Sequence, residues 1–186
     1  MKKIVFFIFY SIVIFSYSNV MANEEAKYDV VKSNEIYEIR KYSDRLAVQA
    51  LNTNQNNSFR KLFNYISGDN ETNEEIKMTI PVTQMEKKGN MTMQFYLPSK
   101  FNKDNIPNPS RSDVEIVNVE GGYYAVIRYS GRASDKNFIK HKEILENELK
   151  KDNISIKSPA IKASYNSPFT LPMLRRNEAM FKVNWK

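Results

Sequence analysis

Tyr165-Asn166-Ser167-Pro168-Phe169-Thr170-Leu171-Pro172-Met173-Leu174-Arg175-Arg176-Asn177-Glu178 separates two strand-like segments in the last quarter of the chain. Pro168 and Pro172 fix their own φ and bias Ser167 and Leu171 toward extended backbone, so the stretch reads as a stiffened arm. It carries Phe169, Leu171, Met173 and Leu174 as apolar side chains and ends on the Arg175-Arg176 pair. Such an arm closes the fold's own core or forms one wall of a ligand cleft. The two arginines either hold it in place through ion pairs with Glu178 or bind an anion.

Outward from the arm, Ile161–Tyr165 and Met180–Val183 read as the last two strands. The pattern before them occurs twice. Tyr28–Ser33, Ile36–Tyr42 and Arg45–Leu51 predict strands, Asn57–Ser67 a helix, and Ile80–Gln84 with Met91–Tyr96 two further strands. Val114–Val119 and Tyr123–Tyr129 then predict strands, and Asp135–Lys150 a long helix. Phe59, Leu62, Phe63 and Ile66 share one face of the first helix, which stops at Gly68, a residue suited to a left-handed cap. Phe138, Leu145 and Leu149 mark the buried stripe of the second, with Ser134 as N-cap, Asp135 in its first turn and Lys150-Lys151 in its last. Neither helix is apolar all round, so each lies against a sheet, giving an α+β domain of two β-rich halves about a pseudo-two-fold. Hairpin turns are expected at Ser43-Asp44 and Gly121-Gly122, and the stretch 101–113, with Pro107 and Pro109, links the halves.

Lys2-Lys3, an apolar run from Ile4 to about Tyr17 and then Val20-Met21-Ala22 make residues 1–22 a secretory signal, cleaved after Ala22. The run is shorter than the roughly 20 apolar residues that span a bilayer, so no stable membrane anchor is expected after cleavage; an uncleaved anchor is the alternative reading of this segment. The short basic start suits a bacterial signal, which makes the periplasm the expected destination. The remaining 23–186 is long enough for one domain and too short for two comfortable ones. With no cysteine in the chain, disulfides, thiolate nucleophiles and iron–sulfur ligation are excluded. Cleavage would leave 26 basic against 21 acidic side chains, a net charge of +5 rather than the +7 of the full chain. These charges are dispersed, unlike the clustered stripe of a nucleic-acid binder, so no nucleic acid is expected as a partner.

Enzyme signatures are sparse. The chain has no G-x-S-x-G, no phosphate-cradling glycine loop and no H-E-x-x-H, and its single histidine is His141. By its spacing from Phe138 and Leu145, His141 lies on or beside the buried helical stripe, as a structural residue or as a donor to an iron. Glu35, Glu38, Glu143 and Tyr129 are the groups available as a general base, and no spacing selects among them.

Together with the arm, three blocks carry a resemblance: Lys77-Met78-Thr79-Ile80-Pro81-Val82, Phe95-Tyr96-Leu97-Pro98-Ser99-Lys100-Phe101 and Tyr124-Ala125-Val126-Ile127-Arg128-Tyr129-Ser130-Gly131. In composition and order the four blocks resemble the motif set of the SOUL haem-binding protein family, over roughly Tyr28 to Val183. The resemblance implies two pseudo-repeats forming a twisted β-barrel-like sheet flanked by two helices, related to the effector-binding domains of bacterial drug-responsive regulators. It also implies a monomeric carrier or buffer of haem or another anionic planar tetrapyrrole. The alternative is a small-molecule-binding or hydrolytic enzyme on the related effector-binding fold. By the family's pattern the pocket lies against the first helix and the late loop, which points to Arg60, Leu62, Phe63, Met78, Phe169 and Met173. Some relatives use a histidine in the first half of the domain as iron ligand, and this chain has none there. Haem would then be held loosely, through Met78, Met173, Tyr65 or His141 as axial ligand, or by hydrophobic capture with no strong axial bond.

Overall fold

The computed structural model describes residues 23–50, 55–87 and 89–185. The export signal expected over residues 1–22, and Leu51 at the expected end of its strand, lie outside the described residues. The strands are β1 (Glu24–Glu25), β2 (Tyr28–Ser33), β3 (Glu38–Tyr42), β4 (Arg45–Ala50), β5 (Thr79–Ile80), β6 (Val82–Lys87), β7 (Asn90–Tyr96), β8 (Val114–Val119), β9 (Gly122–Tyr129), β10 (Ile161–Ser164) and β11 (Asn177–Lys182). Two α-helices, α1 (Gln55–Ile66) and α2 (Asp135–Lys151), and a short 3-10 turn at Pro172–Leu174 complete the described elements. The Ile80-Pro81 bond is cis and separates β5 from β6.

Nine strands form one curled antiparallel sheet in the order β2-β3-β9-β11-β10-β6-β7-β4-β8, while β1 pairs with β5 in parallel. Set aside β2, and the order is symmetric about the β10–β6 seam, where Ile161 faces Met85 and Ser164 faces Val82. The units β3-β4-α1-β6-β7 and β8-β9-α2-β10-β11 are thus two copies of one arrangement.

The expected hairpins at Ser43-Asp44 and Gly121-Gly122 do not form. β3 pairs with β9 and β4 with β8, so each half lends its first strand to the other. The two links cross in contact. A Cβ on Gly121 would stand 2.5 Å from the Tyr42 carbonyl oxygen and 2.7 Å from the Ser43 carbonyl carbon, so glycine is required by the close approach. The Gly121 N–H donates to Asp44 Oδ1 at 2.8 Å, and that bond holds the Asp44 carboxyl below its ordinary range. Turn residues are present as expected, but they turn the chain across the molecule rather than back along its own strand.

Alternation along the strands gives the sheet two distinct faces. Beneath α1, Leu62, Tyr65 and Ile66 pack with Val48, Met93 and Phe95; beneath α2, Leu145 and Leu149 pack with Ile39, Ile127 and Phe181. On the other face Tyr42, Tyr124, Val126, Ile161 and Met180 form a third cluster across the seam. Local signals at both helices work as the residues suggest. Ser134 Oγ accepts from the Asn137 N–H at 3.3 Å, and Gly68 takes φ +109 just past the end of α1.

Candidate functional site

The arm leaves β10 at Ser164 and returns at Asn177, beside the end of β9. Its backbone is tied down. The Gly131 N–H donates to the Pro172 carbonyl at 2.9 Å, and Arg175 donates from Nε to the Thr170 carbonyl (2.8 Å) and from Nη2 to that of Pro168 (2.5 Å). Arg176 pairs with Glu25 of β1 (2.8 Å) and with Glu178 (2.9 Å), and its guanidinium lies 3.7 Å from the Tyr165 ring centroid. Both arginines therefore hold the arm. Its apolar side chains do not close the core, since Phe169 is 95% exposed and Met173 69%, with Leu171 and Leu174 similarly open.

Helix α1 divides the family-implied residues between core and surface. Leu62 is fully buried against the sheet, so it is a core residue that cannot line a ligand site from outside. Phe59 and Phe63 are the open members of the stripe: Phe63 is 47% exposed, and the two rings stack with centroids 6.2 Å apart and planes inclined by 12°. Arg60 is exposed and reaches Asn57 Oδ1 at 3.4 Å. Met78 is half-buried against the core beneath α1. From the end of α1 the chain returns through Ile76, whose N–H donates to the Ile66 carbonyl at 2.8 Å, and passes Met78 into β6. The first residue of β6, Val82, is opposite Ser164, where the arm departs. Register thus brings Met78 and the arm to one end of the sheet.

His141 stacks on Tyr129, with ring centroids 4.0 Å apart and planes inclined by 7°. Its Nδ1 is 2.8 Å from the Asn137 carbonyl. A carbonyl only accepts, so Nδ1 carries the proton and Nε2 of the neutral ring keeps its lone pair, the tautomer an iron donor needs. Tyr65 is committed elsewhere: its hydroxyl donates to the Pro107 carbonyl at 2.8 Å, and burial pushes its pKa up to about 12. The Tyr129 hydroxyl is buried with no partner, and burial, then Glu178, push its pKa well above the phenol range, which removes it as a general base. Glu38, another expected base, accepts from Arg40 Nε at 2.7 Å. Among the described residues no group of three or more His, Asp or Glu side chains is placed to hold a metal ion.

Of the most polar part of the interior, the sequence offered the pairing of Arg176 with Glu178 as one alternative, but not the share taken by Arg40 and Tyr165. Glu178 is fully buried and accepts from Arg40 Nη1 (3.0 Å), Arg176 (2.9 Å) and the Tyr165 hydroxyl (2.6 Å). Arg40 also lies 4.4 Å from the Tyr28 ring centroid. The available signal was a charged residue inside each of two predicted or adjoining strand segments with an apolar neighbour on one side, Ile39-Arg40 and Glu178-Ala179.

Two strand-exchanged repeats, one curled sheet and one helix per repeat define the effector-binding class of fold. The EcmrR C-terminal domain shares it with a TM-score of 0.60 at 10% identity, over 84% of this chain and 98% of that one. A hydrolase from Listeria innocua does so with a TM-score of 0.57 at 9% identity, over 83% and 94%. The family model described as "SOUL heme-binding protein" matches residues 23–182, and the chain belongs to the SOUL haem-binding protein family. Heme-binding protein 2 of Mus musculus is 30% identical over 177 residues, covering 88% of this chain and 85% of its own. Heme-binding protein 2 of Homo sapiens is 32% identical over 133 residues, covering 67% and 63%.

Proposed function

We propose that the protein is an exported, non-enzymatic carrier or buffer of haem or a related planar tetrapyrrole. The observation that carries this reading is the arm: four large apolar side chains are held open to solvent on a backbone fixed by both of its arginines. Soluble domains rarely leave such a patch uncovered without a use for it. Phe59 and Phe63 add a second open aromatic surface on α1.

By residue type, α1 and the arm suit a loosely held tetrapyrrole. Phe63, Phe169 and Met173 supply apolar contact, and exposed Arg60 supplies a cation for a propionate. Arg175 is already engaged by the arm's own carbonyls, and Arg176 by Glu25 and Glu178. The Met173 thioether and His141 Nε2 are the donors of a type that binds haem iron. Bound haem would supply the iron and its redox chemistry; the chain supplies a surface to collect and release it. Export rests on the residues of the expected signal.

Titration of haemin into the mature chain tests the reading. A saturable Soret change, weakened several-fold in the Phe63→Ala/Phe169→Ala double variant, is the expected result. No saturable change removes the carrier role, and an unaltered spectrum in His141→Ala excludes histidine ligation.

A further inference from the structure

The face of the sheet turned away from the helices holds a cavity of about 580 Å³ beside the seam, walled by Met85, Tyr96, Val117, Tyr124 and Ile161. Its volume falls within the roughly 300–1,000 Å³ of small-molecule sites. Among the described residues lining it, Lys182 alone is charged, and its Nζ lies 2.9 Å from Glu120 Oε2. The site is therefore built for an uncharged, aromatic-sized guest.

Gln94 gives it a chemical preference. This side chain lines the cavity, is 6% exposed, and has an Oε1 with no hydrogen-bond partner. A buried amide oxygen left unpaired is costly, which makes it a point of recognition. The orientation of the amide is fixed by a relay that runs through Gln49, also on the cavity wall, to Glu115 at the surface. Gln94 Nε2 donates to Gln49 Oε1 at 2.7 Å, and Gln49 Nε2 donates to Glu115 Oε1 at 2.9 Å. A carboxylate only accepts, so Gln49 must present its NH2 group to Glu115 and its oxygen to Gln94. Gln94 must then answer with its own NH2 group, which leaves its oxygen as the free acceptor. Thr83, opposite Gln94 across β6 and β7, has a buried hydroxyl that is likewise unpartnered, so the two do not satisfy each other.

We propose that this cavity is a second binding site, for a neutral aromatic molecule carrying an N–H or O–H donor that Gln94 Oε1 accepts. Aromatic contact with Tyr96 and Tyr124 supplies affinity, and the relay from Glu115 supplies the demand for a donor.

Indole and 1-methylindole, which differ in the N–H, are the probes, titrated separately into the full chain and followed by amide NMR shifts. Indole is expected to move amides of β4, β6, β7 and β8, and 1-methylindole to bind about tenfold more weakly, the loss of one buried hydrogen bond. Gln94→Leu removes the acceptor and abolishes that preference. Glu115→Lys, a surface change, turns both amides around by presenting a donor to Gln49, and it also abolishes the preference. Equal binding of the two probes to the unaltered protein, shifts confined to other regions, or a preference that survives Glu115→Lys would each overturn the proposal.

Discussion

Arg40 reaches the Glu178 carboxylate at 3.0 Å and so joins β3 to β11, two strands that the intervening β9 keeps from pairing with each other. Neither side chain has appreciable access to water, and the same carboxylate also serves Arg176 and Tyr165. Removing it leaves two guanidinium groups facing a phenol in the interior. Glu178→Ala should therefore lower unfolding stability by about 3–5 kcal/mol in a urea titration, the usual cost of stranding a buried charge. Arg40→Met should cost less, because Arg176 still neutralises the glutamate. A larger loss in Arg40→Met than in Glu178→Ala would show that the network is organised differently.

Gly121→Ala is expected to be destabilising despite its small size. The added methyl would stand 2.5 Å from backbone of the opposite link, and backbone cannot rotate away as a side chain can. Overpacking of this kind costs about 1–3 kcal/mol, visible as a lower melting temperature. An unchanged melting temperature would mean that the crossing links can separate freely.

Two family-implied residues should separate cleanly into stability and binding. Leu62→Ala opens the core beneath α1 and should cost about 2–5 kcal/mol of stability. Phe169→Ala touches almost nothing in the folded chain and should change stability by no more than about 0.5 kcal/mol while weakening haemin binding several-fold. Parallel denaturation and Soret titrations check both; strong destabilisation by Phe169→Ala would contradict its exposure.

Burial raises the pKa of Tyr42, Tyr65 and Tyr124 to about 12 from an ordinary 10.0. The folded state therefore favours the protonated phenol. This contribution to stability is fully present below about pH 10 and is lost as pH rises from 10 toward 12, because the unfolded chain ionises first. Phenolate absorbance of the native protein should lag behind that of the urea-unfolded chain across this window. Coincident curves would place these hydroxyls in water.

Much of the architecture was legible because its causes are local. Apolar alternation located the strands, the stripe of Leu145 and Leu149 located α2, and Ser134 and Gly68 marked helix ends through their own backbone chemistry. Strand partners were not legible at Ser43-Asp44 or Gly121-Gly122, since a turn that folds back and one that crosses over use the same residue types. The functional surface divides along the same line. The phenylalanine stripe on α1 was visible, but which members face the core depends on how the helix rolls onto β4 and β7. That Arg176 reaches Glu25, over 150 positions away in sequence, could not be read from spacing at all.

The exchange of first strands has an evolutionary corollary. A single copy of the repeat, severed at the 101–113 linker, would lack a neighbour for β4 on one side and would leave β3 without β9; two identical copies would supply each other's missing neighbours. The chain thus has the form of two subunits that became tandem by duplication, and separately expressed halves should reconstitute one another on mixing while neither persists alone.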